Sequence, residues 1–256
     1  MVYKLVVFLL AWFVAFSAQA DMQSVIAKVK PGVVIVGTYK NTNSPRFGLR
    51  GAGFVVGNGN HIITNAHLIE QAITDGDTDS SWVVMVGLEK KELQMRSAVI
   101  LEVDVVHDLA LLSFEGPPMP TLVMRDSRLV QEGQAVAFMG FPIGGALGFS
   151  PVTHRGIISS IVAFATPSAS AQQLSERTVR TLRSGASFNV FQLDGTAYPG
   201  NSGGPLFDPE TGEVLGVVNM VFIKGSRESA LSQPSGISYA IPSQFILQML
   251  KDRQLN

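Results

Sequence analysis

Short apolar runs, separated by Gly, Pro, Asn and Asp, set the rhythm of this chain. In the first half they are VVIVGTYK (33–40), GAGFVVG (51–57), HIITNAHL (61–68), WVVMVG (82–87), ELQMRSAVILEVD (92–104) and LALLSF (109–114). Val, Ile and Phe dominate some runs, while others alternate apolar with polar residues, which is the period of a strand. GNGN (57–60), between the second and third runs, reads as a hairpin turn. EGPPMP (115–120) then sets three prolines in six residues, a composition suited to a connection. A second set of six runs follows, at 135–141, 152–162, 188–195, 204–207, 214–222 and 236–242. Six and six around a proline-rich hinge predict an all-β chain of two small barrels or sandwiches, divided as 21–118 and 119–256. Two segments break the pattern. SQFILQMLKD (243–252) carries apolar residues at 245, 246, 249 and 250, a helical stripe with Ser243 placed to cap it. Residues 166–185 are polar, carry Arg177, Arg180 and Arg183, and read as a solvated loop or a lid.

The extreme N-terminus has a pattern of its own. Lys4 supplies a positive start, LVVFLLAWFVAF (5–16) an apolar centre, and SAQA (17–20) a small-residue end, which predicts a signal peptide over 1–20 cut between Ala20 and Asp21. Its apolar centre falls short of the roughly 20 residues that span a bilayer, so an uncleaved anchor is the lesser alternative. The expected mature protein is exported, to a periplasm or the medium, and has no membrane contact. With 19 basic and 20 acidic residues, the net charge of −1 offers no footprint for nucleic acid. Cysteine is absent, which removes disulfides and thiolate metal sites, and the four histidines fit no zinc spacing. No metal or other cofactor is expected.

One stretch is unlike the rest. YPGNSGGPLF (198–207) crowds three glycines and two prolines around Ser202. It is either a tight turn or a nucleophile beside unobstructed backbone N–H groups, and GNSGG also satisfies the G-x-S-x-G pattern of a strand-to-helix nucleophile turn. A serine nucleophile needs an oriented base, and ordinary histidine, titrating near pH 6.5, suits that role. The four histidines are His61, His67, His107 and His154, and all precede Ser202. The G-x-S-x-G enzymes run serine, acid, histidine, and they alternate strands with helices, so that reading fails here. His67 lies in TNAHLIE at the end of an apolar run. Asp108, in HDLALLSF, precedes a strongly apolar run that predicts burial of its carboxylate, for which the His67 ring would supply a partner. Asp104 is the alternative acid and His107 the alternative base. By strand alternation His107 is expected to point away from Asp108 and to be exposed, and His61 and His154 to be structural or surface residues.

ITNAHL, HDLALL and PGNSGGPL, in this order, resemble the three signature blocks of trypsin-like, chymotrypsin-fold serine proteases. The likeness is closer to the HtrA/Deg branch, whose exported, cysteine-free protease domain has similar TNAH, DLA and GNSGG blocks. GFPIGGALGFSPVTHRGIISSI (140–161) and GISYAIPSQFI (236–246) extend the resemblance over nearly the whole mature chain. It implies two six-stranded antiparallel barrels with a short C-terminal helix, and a serine endopeptidase acting through an acyl-enzyme on protein or peptide substrates. It assigns His67 as general base, Asp108 as orienting acid and Ser202 as nucleophile, with the oxyanion hole at Gly200, Asn201 and Ser202 and its donors the N–H groups of Gly200 and Ser202.

The resemblance also implies a specificity pocket walled by 196–200 and 218–221, with Thr196, Tyr198, Asn219 and Met220 as candidates. None of them carries a fixed negative charge, so medium apolar or small residues are expected at the cleavage site. Asn201 stands where digestive relatives place an aspartate that pairs with a new N-terminal amine, so no activation cleavage is expected. The family's usual PDZ domain is not expected within this sequence, an oligomer is left open, and control falls to the loops at 143–150 and 166–185. A non-catalytic, chaperone-like binding module on the same fold is the rival reading.

Overall fold

The computed structural model describes residues 21–77, 79–87, 93–142, 149–163, 188–219 and 236–255. The expected signal segment, the 166–185 insertion, Met220 and most of the 143–150 loop lie outside them. Helix α1 (Met22–Val29) opens the described chain. The first barrel comprises β1 (Val33–Tyr39), β2 (Phe47–Val56), β3 (His61–Thr64), β4 (Ser81–Gly87), β5 (Leu93–Asp104) and β6 (Leu109–Phe114), with helix α2 (Ala66–Thr74) between β3 and β4. Its strands close in the order β1-β2-β3-β6-β5-β4. The second barrel comprises β7 (Ala135–Gly140), β8 (Val152–Ala163), β9 (Asn189–Asp194), β10 (Pro205–Phe207), β11 (Val214–Asn219) and β12 (Ile237–Pro242), and closes as β10-β11-β12-β9-β8-β7. Every strand pairing is antiparallel. Helix α3 (Ser243–Asp252) follows β12. Among the described residues no helix is long and apolar enough to cross a membrane.

The continuous apolar runs have a physical reason. In β1 and β6 alternate residues serve different cores. Val34, Val36, Ala110 and Leu112 fill the first barrel, while Val33, Ile35, Leu109 and Leu111 point outward. Outward here means into a seam shared with Ala137, Met139, Phe207, Val217 and Ile241 of the second barrel. Phe138, Ile158, Phe191, Leu193 and Leu206 fill that barrel's own interior. Strands buried on both faces lose the alternation of a half-exposed strand. β5 keeps it, since part of its outer face meets solvent, with Val99 61% exposed.

The sequence pattern misses two helices. Asp21 accepts a hydrogen bond from the Gln23 N–H and starts α1, whose Val25 and Val29 pack into the seam. The run expected to be strand through residue 68 stops at Thr64, and α2 begins at Ala66. Ala66, Leu68, Ile69 and Ala72 are buried at helical spacing. Helix α3 matches its expected span, but Ser243 is its first residue and not its cap. The Ser243 hydroxyl donates to the Arg125 carbonyl at 2.5 Å, tying the helix to the connection between the barrels.

Candidate active site

Chain direction changes at Asn65, after β3, and His67 lands in the first turn of α2. That first turn needs acceptors for its free N–H groups. Asn65 makes no side-chain cap bond. Asp108 serves instead, from the start of the neighbouring strand β6: its Oδ1 accepts the His67 N–H at 2.7 Å and its carbonyl accepts the Ala66 N–H at 3.2 Å. The Asn65 side-chain amide donates to the same carbonyl at 3.0 Å. Asp108 Oδ2 lies 2.7 Å from His67 Nδ1 and accepts from the Asn219 amide at 2.5 Å. His67 and Asp108 are 5% and 3% exposed, so this ion-pair geometry is screened from water. A proton on Nδ1, facing the carboxylate, leaves the Nε2 lone pair free to accept another.

Ser202 occupies a looped stretch between β9 and β10 and is 5% exposed. The Asn201 N–H is used by the Tyr198 carbonyl at 2.9 Å, the Gly203 N–H by Val218 at 3.0 Å and the Gly204 N–H by Asn201 at 3.0 Å. Among the described residues, the N–H groups of Gly200 and Ser202 donate to no protein acceptor. Gly200 has φ of +103°, and a Cβ there would lie 2.0 Å from the Phe141 carbonyl oxygen, so only glycine fits. The stretch is fastened to the first barrel, where the Ala52 N–H donates to the Ser202 carbonyl at 2.8 Å. A Cβ on neighbouring Gly51 would meet both that carbonyl, at 2.8 Å, and Leu68, the residue after His67, at 2.5 Å. Ser202 and the start of α2 thus flank the same point of β2. Among the described residues, no hydrogen bond joins the Ser202 hydroxyl to the His67 ring.

Of the pocket candidates, Thr196 and Tyr198 are half-buried, and Met220 lies outside the described residues. Asn219 is fully buried, and its amide nitrogen is committed to Asp108. The sequence reading places Asn219 in the pocket wall and misses it as a donor to the Asp108 carboxylate. A single polar residue inside VLGVVNMVF was the available signal. The expectation for His107 is corrected. It stands in a turn, where strand alternation does not apply, and is half-buried, its Nδ1 2.6 Å from Asp104 Oδ2. That contact explains Asp104 as well. Burial raises its carboxyl pKa, but hydrogen bonds from the His107 ring and backbone outweigh this and leave it lowered. His61 Nδ1 lies 2.9 Å from Asn58 Oδ1. His154 stacks on Phe138 at 4.9 Å, its Nε2 buried without a partner, and burial lowers its pKa. Among the described residues no group of three or more His, Asp or Glu side chains is arranged to hold a metal.

Comparison with known proteins bears on the fold and the family. Residues 51–217 match the trypsin-like peptidase domain family. A probable periplasmic serine endoprotease, DegP-like, of Halomonas elongata is 32% identical over 193 residues, covering 75% of this chain and 32% of that protein. The putative serine protease HhoB of Synechocystis is 28% identical over 201 residues, covering 78% of this chain and 39% of its own. The chain therefore spans about a third of the length of such relatives. Among solved structures, Deg5 superposes with a TM-score of 0.63 at 24% identity, covering 88% of this chain and 90% of that one. The HtrA-type protease AlgW with tripeptide gives a TM-score of 0.62 at 22% identity over 90% of this chain and 62% of its own. With the family match over most of the described barrels, this chain belongs to the trypsin-like peptidase domain family and is similar to DegP-like and HtrA-type proteases.

Proposed function

We propose that this chain is an exported endopeptidase that hydrolyses protein or peptide substrates through Ser202, His67 and Asp108. The observation that carries the reading is the buried Asp108 carboxylate, which holds His67 by both its backbone N–H and its ring. A histidine fixed in this way presents Nε2 as a base of one orientation. In the proposed sequence Ser202 Oγ attacks the scissile carbonyl while its proton passes to His67 Nε2. The imidazolium is stabilised by Asp108, and the oxyanion by the N–H groups of Gly200 and Ser202. His67 then returns the proton to the leaving amine, and water repeats the cycle on the acyl-enzyme. The periplasmic names of the relatives and the N-terminal signal pattern support export.

Ser202→Ala is expected to lower kcat by about 10⁴–10⁶ while leaving the fold intact. A fluorophosphonate probe should label the unaltered protein at Ser202. Retained amide hydrolysis by the alanine variant sinks the mechanism, and absence of labelling under native conditions favours the non-catalytic binder.

A further inference from the structure

Asp108 is one of two non-glycine residues with positive φ among the described residues, at 54°. L side chains disfavour that region, so surrounding contacts must hold the backbone there. β5 and β6 form a hairpin closed by the Asp104–Leu109 pair, with residues 105–108 as its loop. His107 fixes this loop from within: its N–H donates to Asp104 Oδ1 at 3.0 Å and its Nδ1 lies 2.6 Å from Oδ2. The same pairing of one carboxylate with a histidine's N–H and ring joins Asp108 to His67.

His107 also reaches the other barrel. Its ring stacks on Phe245 of α3, with centroids 4.0 Å apart and planes 20° apart, and lies 4.9 Å from Phe188 in edge contact. Phe188 precedes β9 and is buried, and it meets Phe245 edge-on at 5.3 Å. The hairpin loop is therefore plugged into an aromatic socket built by two elements of the second barrel. Aromatic contacts of this geometry are directional as well as apolar. Asn219 tethers the Asp108 side chain to the second barrel, and His107 tethers the backbone one residue before it.

We infer that His107 is a positioning residue, whose stacking in the Phe188–Phe245 socket holds Asp108 in the left-handed backbone from which it meets His67. The inference rests on the proposed triad. It separates His107 from an ordinary packing residue, because the effect is on turnover by folded enzyme.

The test uses the full protein on a peptide amide substrate, with kcat normalised to fluorophosphonate-reactive sites. His107→Ala is expected to lower kcat roughly 10- to 100-fold, the scale of a misplaced catalytic group, with KM within about twofold. His107→Phe keeps the stack and should recover most of the loss. Phe245→Leu, which removes the socket from the other side, should lower kcat similarly and add little to His107→Ala. Unchanged kcat in His107→Ala overturns the inference, as does failure of His107→Phe to rescue a lowered kcat. Ser202→Ala run alongside separates the two proposals. Turnover by that variant defeats the triad itself, whereas an inert Ser202→Ala beside a fully active His107→Ala defeats only the positioning by His107.

Discussion

Replacing Gly200 by alanine tests the proposed oxyanion hole with one methyl group. The added Cβ would sit 2.0 Å from the Phe141 carbonyl oxygen and 2.9 Å from its carbon, both backbone atoms. Neither can swing aside as a side-chain tip would. Phe141 is also bound to the same residue, its N–H donating to the Gly200 carbonyl at 3.0 Å, so relief of the clash must rotate the peptide or part the two segments. Either movement turns the Gly200 N–H away from its present direction. Loss of one donor from an oxyanion hole costs about 10²–10³ in kcat, or about 2.7–4 kcal/mol of transition-state stabilisation. Gly200→Ala should therefore lower kcat by that factor on a peptide amide, with KM little changed. Part of any effect is backbone strain, because φ is +103°. Gly133→Ala isolates that part, since its φ is +84° and nothing lies within 4 Å of the added carbon. This control should lose roughly 1 kcal/mol of stability and keep its kcat. Wild-type kcat in Gly200→Ala, or equal loss in both variants, would refute the argument.

Asn219→Ala removes a buried amide donor from the Asp108 carboxylate, and a hydrogen bond to a charged group is worth about 1.5–3 kcal/mol. Urea unfolding at neutral pH should show a loss of that size together with lower kcat, and an unchanged midpoint would show the bond to be idle. Asp77 offers a prediction in acid. Hydroxyls of Ser80 and Thr38, with the Arg50 guanidinium, hold its carboxyl pKa at about 2, down from 3.8. A depressed folded pKa stabilises the protein above about pH 4, and the gain is lost as pH falls through about 2. Thr38→Val keeps the volume but removes the 2.5 Å hydrogen bond to Asp77 Oδ2. Its acid-unfolding midpoint, followed by circular dichroism, should move to higher pH, and coincident curves would argue against the assignment.

Strands were the most legible part of this chain. Runs bounded by glycine, proline and asparagine mark the described strands, uninterrupted where both faces are buried, as in β1 and β6, and alternating where one face meets solvent, as in β5. Helix α2 was hidden because the apolar run continues into it. No glycine or proline separates HIIT from AHLIEQAIT, and the boundary is marked by Asn65, at the N-cap position, and by the helical spacing that follows. The order of histidine, aspartate and serine was legible because it depends on sequence alone. What joins residues across the seam was not. Asn219 and Asp108 are 111 positions apart, and the direction in which a lone polar side chain points is set by the packing of both barrels. The socket around His107 is a further case, with Phe188 and Phe245 contributed from far along the chain.

The fastening of Ser202 to β2 bears on how such a molecule moves. A two-lobed enzyme can admit a substrate by hinging its lobes apart. Here that motion would have to break the Ala52–Ser202 backbone bond and pull Asn219 from Asp108, dismantling the reactive groups as the cleft widened. On the proposed function, these two bonds favour turnover with the barrels held together. On that reading, substrate choice is then free to vary at residues outside these fastenings, which alter what is cut without disturbing how it is cut.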